Sequence, residues 1–347
     1  MGGGGSYYDR DVTRTSLRSA STGVSSVAER ELDQKKMDKG LLPLNRRLTC
    51  TARNPLVYNF DETGSMGNLP KIIWDKWPGI VGQIVARKYL PDPEMSVSAT
   101  GDIRSDDSPL QICDFSPLRN LDKWLKRIHF EGNGGGQGSE SYEMNAYFYA
   151  YLCDMPKAEN PIYLMTGDEA CVPQLYSRDL VEHFGGKHEG TTARDVYKDL
   201  LVKFKDNVFR VQRAYRSEGR EGWTQKSIVE QWESLIGAER VIHLPEDLAI
   251  GDVTLGIYAI VSGARTLKQY LEDMRTRPLD LGEDVKYERQ SPERIRDVER
   301  ALQPLKDFKP VKSANSTSAP KKAPASGKKP ESSGKAPPEK TKQKWQV

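Results

Sequence analysis

Long apolar runs are missing from this 347-residue chain. No stretch approaches the roughly 18 consecutive apolar residues that a membrane-spanning helix needs, and no apolar segment near the start has the make-up of a secretory signal. Cysteine is scarce: Cys50, Cys113, Cys153 and Cys171 stand apart without CxxC spacing. That spacing argues against a disulfide framework or a zinc site and for buried thiols in a reducing, cytoplasmic setting. His129, His183, His188 and His243 are the four histidines, and none falls into HExxH spacing. Neither GxGxxG nor GxxxxGK followed by Ser or Thr occurs, so neither standard phosphate loop supports nucleotide binding. No Ser-His-Asp or Cys-His order suggests a nucleophilic enzyme.

Charge is abundant and unevenly spread. Charged residues make up 29% and hydrophobic residues 37% of the sequence, which leaves material for one large domain with appendages. The net charge of +3 conceals a basic tail: residues 311–347 hold nine Lys and two Glu, leaving the first 310 residues at −4. Pro, Ser, Ala and Gly fill the rest of that tail. Its apolar content cannot offset the entropy of ordering, so disorder is expected there, with loose contact to nucleic acid or an acidic surface as the functional reading. Residues 1–53 read as a polar extension with a helix near 27–39. Its opening Met1-Gly2-Gly3-Gly4-Gly5-Ser6 formally matches a myristoylation pattern and equally suits a flexible leader.

Between the two ends, apolar strands and helical patterns alternate. Strands are predicted at 56–60, 95–100, 110–115, 162–165, 208–214 and 240–243, and helices at 118–130, 173–184, 225–236 and 247–261. The first helix carries Ile73, Trp77, Ile80 and Ile84 at helical spacing, with Pro78 expected to kink or divide it. Another helix is expected to start at Ser291-Pro292, a cap followed by proline in the first turn. Alternation of this kind predicts an α/β fold: a doubly wound, mostly parallel sheet with helices on both faces.

Three loops fall at the carboxyl ends of strands, where such sheets place their ligands. Asp61-Glu62-Thr63-Gly64-Ser65 puts a carboxylate and two hydroxyls at i, i+2 and i+4 of one tight loop, a set of oxygens suited to a hard cation. A glycine-rich loop over 132–138 leads to Ser139 and Glu140, and Thr166-Gly167-Asp168-Glu169 follows the strand at 162–165. Asp102, between two strands, reads as an ordinary loop acid.

In order and spacing, Asp61-x-Thr63-x-Ser65, the glycine-rich loop and Asp168 resemble a von Willebrand factor A domain with its metal-ion-dependent adhesion site. The resemblance spans 54–265, leaving 266–310 as a helical extension and 311–347 as the tail. It implies metal ligation by Asp61, Thr63, Ser65 and Asp168. Most of the family places a Thr after the glycines, which this loop lacks; Glu140 is preferred there as the carboxylate, and Gln137 is the alternative. The last loop reads Gly-Asp where many relatives read Asp-Gly. Mg²⁺ is the implied ion, with Mn²⁺ or Ca²⁺ able to replace it. The function implied is a cytoplasmic, stand-alone scaffold or adaptor, and not an enzyme, that binds a partner's Asp or Glu carboxylate, such as a subunit of an ATPase complex. The competing reading is a Mg²⁺-dependent aspartyl phosphotransferase or phosphatase with Asp61 as nucleophile; there Glu62 stands where a Lys would be expected.

Overall fold

The structure, a computed structural model, describes residues 38–106, 108–130, 138–217, 219–277 and 290–309. The readings made for 1–37, for Gln137 and the glycines at 132–136, and for the tail at 311–347 lie outside the described residues.

The strand with the strongest apolar run takes the middle of the sheet. All seven residues of β1 (Pro55–Asp61) are buried, as expected for a strand covered on both faces. It pairs in parallel with β2 (Glu94–Thr100) on one side and β5 (Ile162–Gly167) on the other. Beyond β5 come β6 (Val208–Gln212) and β7 (Val241–His243), both parallel. The short β3 (Leu110–Ile112) and β4 (Ser116–Pro117) run antiparallel to β2. The sheet therefore has seven strands, ordered β7-β6-β5-β1-β2-β3 with β4 also on β2, and is mostly parallel. Chain direction away from the centre reverses between β1 and β5, so the ends Asp61 and Gly167 lie side by side at a topological switch point.

Side-chain alternation along the strands sorts the core into two layers. Leu56, Tyr58 and Phe60 join Ile162 and Leu164 against α1 (Leu69–Ala86), while Val57, Tyr163 and Met165 face α2 (Tyr142–Tyr151) and α4 (Ala193–Lys203). The second layer also holds α3 (Ser177–Phe184) and α5 (Gln225–Ile236). On the first, α6 (Ile250–Val261) lies beside α1 and is buried at all twelve residues. Its outer side is covered by α7 (Leu267–Arg275) and α8 (Pro292–Leu302). Gly256 permits this: a Cβ there would sit 2.3 Å from Leu302 Cδ1 and 2.8 Å from Tyr270 Cε1. Leu267, Tyr270, Leu271 and Met274, with Ile295, Val298 and Leu302, thus share one core with the sheet.

An ionic knot fastens the same helices. Buried Asp252 accepts from Arg277 Nη1 at 2.5 Å and from Arg294 Nη1 at 3.2 Å, and Arg294 Nη2 also reaches Glu246 at 2.7 Å. Burial acts to raise the pKa of Asp252, but Arg277, Arg294 and Lys76 outweigh it and hold the carboxyl below its ordinary value.

Several elements differ from expectation. Leu69–Ala86 is one undivided helix with Pro78 inside it; buried residues on both sides of the proline, from Ile72 to Ile84, supply packing that offsets the roughly 3 kcal/mol a mid-helix proline costs. The helix predicted over 118–130 shrinks to a turn at Leu118–Asn120 and a short helix at Asp122–Leu125. Gln111 captures the following chain: its amide donates to His129 O and its carbonyl accepts from His129 N, both at 2.8 Å. The start of 173–184 is extended, with Gln174–Leu175 paired to Thr191–Thr192 ahead of α3. Ser291 does cap α8, accepting from Arg294 N at 3.1 Å with Pro292 in the first turn. All four cysteines are buried and free, and among the described residues no helix is long and apolar enough to cross a membrane.

Candidate metal centre

The end of β1 delivers Asp61 into a tight turn. Its Oδ1 accepts from Thr63 N at 2.8 Å and from Thr63 Oγ1 at 2.6 Å. A helical turn at Gly64–Met66 follows, with Met66 buried as its anchor in the core. The turn brings Ser65 Oγ to 3.2 Å from Thr63 Oγ1. Ser65 then donates to Asp168 Oδ1 at 2.9 Å, across 103 residues of sequence. Four of the predicted ligands therefore meet in one chain of hydrogen bonds. Asp61, Thr63 and Asp168 are buried, Ser65 is half-buried, and Gly64 and Gly67 are exposed, so solvent reaches the group from the turn.

This donor set fits a small hard cation. Neighbouring oxygens in an octahedral Mg²⁺ shell lie about 3 Å apart, given metal–oxygen distances of about 2.1 Å; the spacings here are 2.6, 3.2 and 2.9 Å. Asp168 Oδ2 is buried with no hydrogen-bond partner among the described residues, an expensive state for a carboxylate oxygen unless charge is supplied to it. The nearest cationic group is Arg213 Nη1 at 3.8 Å. Among the described residues no group of three or more His, Cys, Asp or Glu is placed to hold an ion together, so the set consists of two carboxylates and two hydroxyls.

Glu140 lies nearby on a two-residue strand, Ser139–Glu140, paired in parallel with Ala170–Cys171. It is buried, and Oε2 lacks a hydrogen-bond partner among the described residues. Burial, then the charges of Asp61 and Glu169, push its pKa up to about 12. Glu169 is also buried, next to Glu140; burial, Asp168 and Asp61 raise it to about 8. Asp61 rises to about 6 through burial and the charge of Asp168, and burial raises Asp168 as well. Asp102 is occupied by its own loop, accepting from Arg104 N at 3.1 Å.

Four further residues shape this centre. The Tyr142 hydroxyl donates to Asp61 Oδ2. Gly167 makes room for it: a Cβ at 167 would stand 2.2 Å from the Tyr142 hydroxyl oxygen. Arg210, buried within β6, stacks over the rings of Tyr142 at 4.5 Å and Trp232 at 4.0 Å and donates to Glu169 O at 2.9 Å. Arg213, just past β6, donates to Ser65 O at 2.8 Å and forks onto Asp247 through Nε and Nη2, each at 2.8 Å. Arginines inside and just beyond an apolar strand, in Val208-Phe209-Arg210-Val211-Gln212-Arg213, were the available signal.

No family model matches the chain, and no curated protein matches it. Among solved structures it is similar to the pilus adhesin SpaC from Lactobacillus rhamnosus GG, in two crystal structures, one of them in an open conformation. The TM-scores are 0.43 and 0.42 at 7% and 8% identity, over 62% of this chain. The chain spans about a third of the length of that protein, 32% and 31% in the two structures, and a likeness of this size carries no argument about function.

Proposed function

We propose that this protein is a divalent-cation-dependent interaction module of the von Willebrand factor A type, with Asp61, Thr63, Ser65 and Asp168 as the residues that hold Mg²⁺. The observation that carries the reading is the hydrogen-bonded series of four oxygen donors ending in buried Asp168, whose Oδ2 has no hydrogen-bond partner among the described residues and only Arg213 Nη1 at 3.8 Å. When bound, Mg²⁺ supplies an electrophilic position for an oxygen ligand from outside. Asp61 and Asp168 bring the negative charge, and the two hydroxyls add lone pairs without further charge. Arg213 fixes the Ser65 carbonyl and so the direction of its hydroxyl. A partner Asp or Glu carboxylate is the ligand class that fits, as on a subunit of an ATPase complex.

Asp61 suits a nucleophilic role less well. Glu62, where a Lys would be expected, adds negative charge where a phosphate would have to approach. The test of the main reading is Mn²⁺ titration followed by electron paramagnetic resonance. One bound Mn²⁺ per chain is expected, lost in Asp61→Ala while circular dichroism is unchanged. Equal binding in the two proteins would remove the site from the mechanism.

A further inference from the structure

Asp61 has two oxygens, and only one of them faces the other predicted ligands. Oδ1 accepts from both Thr63 donors, while Oδ2 is taken by the Tyr142 hydroxyl. That phenol is held on three sides. It fills the space a side chain at Gly167 would need. Its ring lies under the Arg210 guanidinium at 4.5 Å and meets Trp232 edge-on at 5.5 Å. Arg210 and Trp232 are pinned in turn, since both donate to Glu169 O, at 2.9 and 3.0 Å. The assembly is buried throughout, which locks rotamers by packing.

We propose that Tyr142 sets the ion preference of the centre by restricting Asp61 to single-oxygen ligation. The inference rests on the metal-binding reading above. Ca²⁺ takes six to eight oxygens at longer distances and readily accepts a carboxylate through both oxygens; Mg²⁺ demands six at short distance and uses one oxygen per carboxylate. With Oδ2 committed to the phenol, Asp61 cannot turn both oxygens toward one ion without breaking a buried hydrogen bond. Tyr142 is a positioning residue: it acts on the ion through Asp61.

The test is isothermal titration of Mg²⁺ and Ca²⁺, separately, into the wild-type protein, Tyr142→Phe and Gly167→Ala, with circular dichroism to establish that each is folded. Phe keeps the ring stack and removes only the hydroxyl; Ala at 167 displaces the hydroxyl while keeping it in the chain. In Tyr142→Phe, Mg²⁺ affinity is expected to fall about 10–100-fold, as for other residues that orient a metal ligand. Ca²⁺ affinity is expected to hold or rise, and Gly167→Ala to move the preference the same way. Equal losses for both ions in Tyr142→Phe would overturn the proposal, because a purely structural role weakens both alike. An unchanged preference in folded Tyr142→Phe would overturn it too. Failure of the wild-type protein to bind either ion would instead sink the metal-binding reading beneath it.

Discussion

Two groups of buried carboxylates in this molecule are treated in opposite ways. Asp252, between α6, α7 and α8, receives two guanidinium groups and its pKa is held below the ordinary value. At the ends of β1 and β5, Asp61, Asp168, Glu140 and Glu169 are equally buried, yet all four are raised. Arg213 stands 3.8 Å from Asp168, but its hydrogen bonds go to Asp247 and the Ser65 carbonyl. Arg210 lies over ring faces and donates to the Glu169 carbonyl and to Gln212 Oε1. The first group is compensated by the chain itself and holds helices together. In the second, burial outweighs the nearby arginines and favours the protonated forms, a perturbation that marks a candidate site.

The largest effect expected from this contrast is at Asp252. Asp252→Asn leaves two guanidiniums buried without their anion and is expected to lower unfolding free energy by about 3–5 kcal/mol in urea titration. A loss below about 1 kcal/mol would mean that Arg277 and Arg294 find other partners, and the contrast would fail. Next in size is the pH profile of the strand-end group without divalent ions. A carboxyl whose folded pKa is raised binds its proton more tightly folded than unfolded. Its contribution is therefore most favourable below the unfolded pKa and declines as pH rises through the folded one. For Asp61 the window runs from 3.8 to about 6, and Glu169 carries the decline on from 4.5 to about 8. In EDTA, stability is expected to drop by about 3 kcal/mol across the Asp61 window alone. Saturating Mg²⁺ is expected to flatten the slope; an identical profile with and without Mg²⁺ would break the comparison. The smallest effect is at Lys76, a buried ammonium whose pKa burial lowers. Lys76→Met is expected to change stability by less than about 1 kcal/mol, which would assign the balancing of Asp252 to the guanidiniums.

The sequence made the sheet legible wherever burial wrote a run of apolar residues. β1, β2, β5 and β6 lie within a residue or two of their expected positions, and Gln225–Ile236 carries its own capping box at Thr224 and Ser227. It was less legible where a side chain from elsewhere took over the backbone, as Gln111 does at His129. In the centre, Asp61, Thr63 and Ser65 could be read because they share one turn, and Asp168 because it ends an apolar strand. Tyr142 could not. It opens a helix crowded with Tyr147, Phe148, Tyr149 and Tyr151, and nothing local marks which ring reaches across 81 residues to Asp61. Arg213 was hidden for a similar reason: its role depends on Ser65, 148 residues away.

The complete burial of α6 has a consequence for the order in which the chain is made. One side of this helix packs on α1, which precedes it, but its outer side is covered by segments that follow it, up to Leu305. A growing chain at 5–20 residues per second leaves it uncovered for roughly a few seconds. During that interval the apolar residues of that outer side are exposed, and a pause in translation over 262–305 would prolong their exposure. Synonymous changes in that stretch of message are therefore a route to aggregation that alters no amino acid.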